Sequence, residues 1–398
     1  MKKISIIFLV AILLLSVKLF SQSNKIDNAS SKLLSSGNNL TVGGYGQIDY
    51  NKPFGSNEIA NGNLDVHRLV ILFGYRFNEK LSFISEIEIE HVKEVYVEQA
   101  FLVYNINTYV QIRGGLMLVP MGIINEYHEP TTFNGVERPL IDKYISPTTW
   151  REIGIGVTGT IPEISIKYQA YLMNGFSSYN GSAQLSGQYG LRNGRQKGAK
   201  SIIKTPVFAG RVEYFGILGL NFGLSAYYGN TQSTEYNKLD TDDVSKVSTA
   251  DSSVVKVGML GFDMRYQKSG FQLRLQTYYT NLSNTLQYNY FTATNNIPND
   301  LGSSMYGYYL EVGYNVFHLS NKISSELIPF VRYSAFDTQS KVAEGLLKND
   351  AYKTQVITAG ISWKPITEVA LKADVQLIKS HNQSSYNNTF NAGVAIWF

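Results

Sequence analysis

The chain of 398 residues has no cysteine, only ten prolines and a charged fraction of 17%, against roughly 25% in an ordinary soluble domain. Without cysteine there can be no disulfide framework, thiolate zinc site or thiol nucleophile. Long apolar runs are also scarce. Each helical membrane span needs about 20 consecutive apolar residues, and the only run of that kind is at the extreme N-terminus, Ile4 to Val17, interrupted by Ser5 and Ser16. In their place stand 34 glycines, 28 tyrosines and 20 phenylalanines, with a mean hydropathy of −0.12. An aromatic content of 13% excludes a disordered chain, a class that lacks such residues. A large all-β protein remains, either a soluble sandwich or a membrane barrel.

Met1-Lys2-Lys3 ahead of the apolar run and Leu19-Phe20-Ser21 behind it read as a secretory signal peptide over residues 1–21. Its removal takes Lys2, Lys3 and Lys18, so the net charge falls from +4 to +1. No compositional case for nucleic-acid binding survives that loss. Residues 22–39 read as a short polar periplasmic segment, too small for a plug domain, and residues 40–398 as the barrel.

Period-two alternation marks strands whose two faces meet different surroundings. Leu69, Ile71, Phe73, Tyr75 and Phe77 share one face opposite Arg68, Gly74 and Arg76. Sixteen segments of this kind run from 40–50 to 388–398, most of them 9–14 residues long, near the ~9–11 that a tilted strand needs to cross a bilayer. Connections alternate between short ones, such as Asn78-Glu79-Lys80, and long ones at 119–149, 175–205, 230–253, 282–304 and 337–352, with Val92-Lys93 as the exception. Short turns on one side and long loops on the other are the habit of outer-membrane barrels, not of sandwiches. The fold predicted is a 16-stranded antiparallel transmembrane β-barrel, set in the outer membrane of a diderm bacterium among its lipids.

Gly114-Gly115-Leu116-Met117-Leu118-Val119-Pro120-Met121-Gly122, Gly135-Val136-Glu137-Arg138-Pro139 and Trp150-Arg151-Glu152-Ile153-Gly154-Ile155-Gly156-Val157-Thr158-Gly159 together resemble the phosphate-selective porin O and P family. The resemblance is sharpest over about 110–160. It implies a homotrimeric porin that passes small solutes passively and needs no cofactor, with 119–149 folded inward as a constriction loop. Separately, the C-terminal run Phe390, Val394, Ile396 and Phe398, ending on an aromatic, resembles the assembly signal of outer-membrane proteins, which implies that the barrel-insertion machinery reads it.

On the same alternation, Arg113, Arg265, Arg274 and Arg332 point inward, as do Glu86, Glu88, Glu90 and Glu98, and inward acids outnumber inward bases. The presumed constriction loop carries Glu126, Glu129, Glu137 and Asp142 against Arg138 and Lys143. No basic excess supports an anion preference. An acidic wall at Glu86–Glu98 opposite distant arginines would instead set up a transverse field. Gly154, Gly156 and Gly159 would leave room for a neighbouring element, the third loop being the candidate. Glu88-x-Glu90-His91 and Asp240-x-Asp242-Asp243 offer oxygen ligands but not the spacing of a calcium loop, so no metal site is assigned. No activated nucleophile is recognisable, and the chain does not read as an enzyme. The alternative function is a receptor or adhesion barrel acting through loops 175–205 and 230–253.

Overall fold

The computed structural model describes residues 39–55, 59–320 and 322–398. The expected leader, and all but the last residue of segment 22–39, lie outside the described residues. Sixteen strands form the wall. The first eight are β1 (Leu40–Phe54), β2 (Asn63–Arg76), β3 (Leu81–Glu90), β4 (Glu94–Asn105), β5 (Gln111–Leu118), β6 (Arg151–Ile161), β7 (Ile166–Met173) and β8 (Val207–Ile217). The others are β9 (Leu220–Asn230), β10 (Lys256–Lys268), β11 (Phe271–Ser283), β12 (Ser304–Tyr314), β13 (Glu326–Lys341), β14 (Lys353–Ile366), β15 (Val369–Ser380) and β16 (Asn387–Trp397). Each pairs antiparallel with its neighbour in sequence, and β16 returns to β1 to close the ring.

Closure follows from the solvent. Hydrocarbon offers no partner to an open strand edge, so every edge amide must find another strand. The seam is completed by the last residue: Phe398 N–H donates to Gly44 O and Gly44 N–H to Phe398 O, both at 2.9 Å. The predicted outward residues of β16 are on the lipid side, with Phe390, Ile396 and Phe398 exposed. Asn391 and Ala395 between them face inward and are buried.

The connections depart from strict short–long alternation at 91–93, as expected, and also at 315–325 and 381–386. The first of these additional departures puts eleven residues at the short-turn end, organised by a 3-10 turn over Val316–Leu319 whose Phe317 N–H donates to the Asn315 side chain.

The interior also departs from simple alternation of apolar outside and polar inside. Val70, Leu72, Ile84, Phe101 and Val103 point inward and are fully buried, in one apolar cluster with Met117, Val119, Met121 and Trp150. Apolar side chains are stable there because they face packed protein and not channel water. Gly154 and Gly156 accommodate the adjacent strand: an added Cβ would meet Met173 Cγ at 2.9 Å and Tyr171 Cδ1 at 2.6 Å, so β7, not the third loop, occupies that space.

Gly114 and Gly115 of the motif differ in kind. Gly115 has φ +137°, and a Cβ there would strike the Ala100 carbonyl and come within 2.7 Å of Phe101 Cα. Gly114 has nothing nearer than 3.8 Å. Gly115→Ala is expected to cost about 1–3 kcal/mol, lowering the urea midpoint and the fraction of heat-modifiable barrel on gels. Gly114→Ala should leave both nearly unchanged.

Candidate functional site

Between β5 and β6 the chain turns into the lumen. Its neck is pinned by Asn125, whose amide donates to Val119 O (2.7 Å) and Trp150 O (3.0 Å) while its oxygen accepts from Trp150 N–H at 2.9 Å. Trp150 is itself immobilised, stacked on Phe176 at 4.3 Å, packed on Tyr227 at 4.7 Å and donating to Glu152 at 2.8 Å. The descending segment forms two short helical turns, α1 (Gly122–Glu126) and α2 (Ile141–Tyr144). Gly122 has φ +68°, and a side chain there would collide with the Tyr278 hydroxyl. Glycine is what lets the loop lie this close to β11.

The loop touches the wall in five directions. Toward β7 and β8, Glu126 accepts from Gln169 (2.6 Å) and Lys167 (3.1 Å) and pairs with Arg211 Nε at 3.2 Å. Toward β3 and β4, His128 Nε2 lies 3.2 Å from Glu86 and 3.3 Å from Glu98. Toward β12 and β13, Asn134 donates to Glu311 at 3.0 Å, and Arg332 donates to the Glu137 carbonyl at 3.0 Å. Toward β15, Lys372 Nζ donates to the carbonyls of Pro130, Phe133 and Gly135 at 2.5, 2.6 and 2.9 Å. Val136 N–H meanwhile donates to Asp374 at 2.7 Å. On the β11 side, Asp142 accepts from Gln276 (2.6 Å) and Tyr278 (3.0 Å).

The residues singled out from the sequence divide accordingly. Glu126, Glu129 and Asp142 are buried in the docked loop. Glu137 is half-buried and accepts from Asn51 at 3.0 Å, and Arg138 donates to His128 O at 2.7 Å. Lys143 is exposed and leans on the Tyr144 ring, away from these contacts. Glu86, Glu88 and Glu98 are buried, and Glu90 is half-buried. Arg113 bonds to Gln111 and lies over the Phe101 ring at 5.6 Å.

Charges are compensated within each wall. Arg68 pairs with Glu88 at 3.3 Å and Arg151 with Glu98 at 3.7 Å, so the acidic wall carries its own cations. Arg265 pairs with Glu213 at 2.8 Å, and Glu311 lies between Arg274 (3.6 Å) and Arg332 (3.4 Å). Sequence reasoning gave no docking role to His128, Lys372, Arg151 or Arg211. His128 follows Glu86 by 42 positions, and no local spacing links them. The one available clue was that a histidine stands in a loop expected to enter a lumen lined with glutamates.

Protonation sets how firmly the loop is held. Burial alone would lower the pKa of His128, but Glu86 and Glu98 outweigh it and raise the ring to about 10. His128 Nε2 lies between the two carboxylates, where a cation would otherwise bridge them. Glu86, Glu98 and His128 are the one set of three acid or imidazole donors within 4.8 Å among the described residues. Arg68 and Arg151 beside them oppose a further positive charge. Burial pushes Asp142 up to about 7 despite the hydrogen bonds from Tyr278 and Gln276. For Glu126, burial is outweighed by Lys167 and Arg211, which hold the carboxyl below its usual range.

These directions fix the sign of a pH effect. The raised His128 stabilises docking fully below its ordinary value of 6.5 and loses that contribution as pH rises toward about 10. Asp142 also takes up protons on docking, between its ordinary 3.8 and about 7. Glu126 acts oppositely, but only as pH falls below its ordinary 4.5. Loop docking should therefore weaken from pH 6 to pH 9. Hydrogen-exchange protection at Val136, corrected for the intrinsic rate, is expected to fall on the order of tenfold across that range. His128→Gln should remove most of this dependence.

Residues 40–395 match the sequence profile of the family described as phosphate-selective porin O and P. A protein of Aquifex aeolicus (strain VF5), described only as uncharacterised, is 32% identical over 384 residues, covering 93% of this chain and 82% of that protein. The outer membrane channel DcaP of Acinetobacter baumannii superposes with a TM-score of 0.56 at 11% identity, over 90% of this chain and 97% of that one. The trimer form of OmpT, an outer membrane protein of Vibrio cholerae, gives 0.51 at 10% identity, over 91% and 100% respectively. These structural likenesses are to the fold. With the profile covering the whole barrel, the chain belongs to the phosphate-selective porin O and P family.

Proposed function

We propose that this chain is a passive outer-membrane diffusion channel for small hydrophilic solutes and ions, narrowed by the loop at 119–149. The observation that carries the reading is a closed 16-stranded ring with that loop hydrogen-bonded to the inner wall on several sides. A wall without edges is stable in lipid, and charged lumen residues give hydrated solutes a polar path. Glu126, Glu129, Glu137, Arg138 and Asp142 of the loop and Glu86, Glu88, Glu98, Arg265, Arg274 and Arg332 of the wall set the constriction mainly by holding the loop in place, most of them being buried between loop and wall. Arg113 and Glu90 line the approaches. Lys143, exposed on α2, acts at the outer side of the loop.

Because the arginines of this lumen face carboxylates, the channel discriminates weakly by charge. A ring of one sign is what makes a selectivity filter steep, and opposite charges adjacent in each wall cancel at the distance of a passing ion. The working unit is a homotrimer, a reading supported by the family and by the trimer form of OmpT. The C-terminal run ending at Phe398 serves as assembly signal, a reading supported by its lipid-facing side chains and its position at the closing seam.

Planar-bilayer recordings test this directly. Purified protein should give ohmic steps, and reversal potentials in a salt gradient should place cation and anion permeabilities within a factor of about three. Lys372→Ala removes the donor to three loop carbonyls and is expected to raise open-channel noise and conductance without unfolding the barrel. A folded protein that conducts no ions would refute the channel reading. Strong anion selectivity would refute the reading of the charges.

A further inference from the structure

On the outer surface, strands β7 to β11 carry two adjoining depressions that the channel does not use. The lower one is an apolar groove of about 620 Å³. Its floor is a row of small residues, Ala170, Gly210 and Ala226, which are successive cross-strand neighbours. Its walls include Phe208, Leu224 and Leu260, all exposed on the lipid side. A row of small side chains between large ones makes a trough about one chain wide.

Above it, at the long-loop end of the same strands, lies a polar basin of about 410 Å³ lined by Lys204, Asn230, Tyr236, Asp251, Lys256 and Ser283. Lys204 Nζ sits 3.2 Å from the centre of the Tyr236 ring, and Lys256 Nζ 5.3 Å from that of Tyr228. Neither lysine belongs to an ion pair among the described residues, and the Asp251 carboxylate accepts a hydrogen bond from the Tyr236 hydroxyl. Two ammonium groups thus face one acid already engaged. Tyr228 stands between the depressions: its ring lies near Lys256 of the basin, and it pairs across the strands with Phe208 of the groove wall. Lys256 precedes Leu260 by four residues on β10, about 13 Å along the strand.

We propose that this column binds a phosphate-bearing lipid of the outer leaflet, one molecule per chain, with its phosphate between Lys204 and Lys256 and an acyl chain in the trough. A basic pocket at headgroup level is the usual recognition device for an anionic lipid. A compact ammonium suits phosphate as a point charge. Tyrosines flanking the basin belong at that depth, where an apolar ring and a polar hydroxyl are both accommodated. Charge complementarity is what favours a lipid over a second copy of the chain, which would have to bury two ammonium groups.

The test is native mass spectrometry of the full-length protein in mild detergent, titrated with a bis-phosphorylated lipid A and, separately, with its dephosphorylated counterpart. The native protein should bind the phosphorylated form about tenfold or more tightly. Lys204→Glu with Lys256→Glu should abolish that preference and leave weak binding of both. Ala226→Phe, filling the trough, should weaken both forms alike. Heat-shifted gel mobility reports that each variant is folded, and the two variants sit at different depths, so loss of one leaves the other informative. Equal binding of the two lipids by the native protein would overturn the proposal. So would unchanged preference in the double lysine variant, or a change of oligomeric state in Ala226→Phe, which would make the trough a subunit contact.

Discussion

The architecture depends on satisfying buried backbone. A loop of some thirty residues lies inside a barrel, where its peptide groups lose water, and an unpaired buried carbonyl or amide costs about 1–3 kcal/mol. The wall supplies the missing partners. Lys372 alone accounts for three loop carbonyls, Arg332 for a fourth and Asp374 for an amide. None of these could be exchanged for an apolar residue without stranding backbone. The charged lumen is therefore a structural scaffold for the loop as much as a surface for solutes.

The same constraint explains why the charges are mixed. A loop that presents Glu126 to one wall and His128 to another needs cations on the first and carboxylates on the second. Buried ion pairs recover their desolvation cost only with close geometry and further hydrogen bonds. The structure meets that condition locally: Arg211 is held by Asp263 at 2.5 and 2.9 Å and by Glu213 at 3.2 Å besides its contact with Glu126. Even the like-charged cross-strand neighbours Arg265 and Arg274 are separated in effect, because one faces Glu213 and the other Glu311.

The wall was legible in the sequence because its determinants are local. Ile153, Ile155 and Val157 alternate with inward residues over a few positions, and the turn marked by Ile161-Pro162 announces itself, although it runs on to Ile164. The inward phase of Arg332 or Glu311 follows from the same count. What local pattern could not carry was partnership. Lys372 and Gly135 are separated by 237 positions, and nothing near either residue specifies the other. Parity also misses the interior apolar layer at Val70, Leu72 and Phe101, since a period of two separates faces but does not say what fills the inner one. The bulge between Glu86 and Ile87 in the pairing of β3 with β4 is a further non-local feature, shifting the register beside the acidic wall.

The family description names phosphate, and the lumen geometry bears on how that could work here. An anion entering a pore gains from a guanidinium only by what that group gives up elsewhere. Arg68, Arg211, Arg265 and Arg332 would have to loosen contacts with Glu88, Asp263, Glu213 and Glu311, each leaving a buried carboxylate poorly compensated. That exchange is close to neutral at best, since the new pair replaces an old one in the same low-dielectric setting. Arg113 and Arg138 are differently placed. Their contacts are to Gln111, to Tyr171, to the Phe101 ring and to a backbone carbonyl, and neither belongs to an ion pair among the described residues. Those two arginines are therefore set apart from the ones whose ion pairs hold the barrel and its loop together.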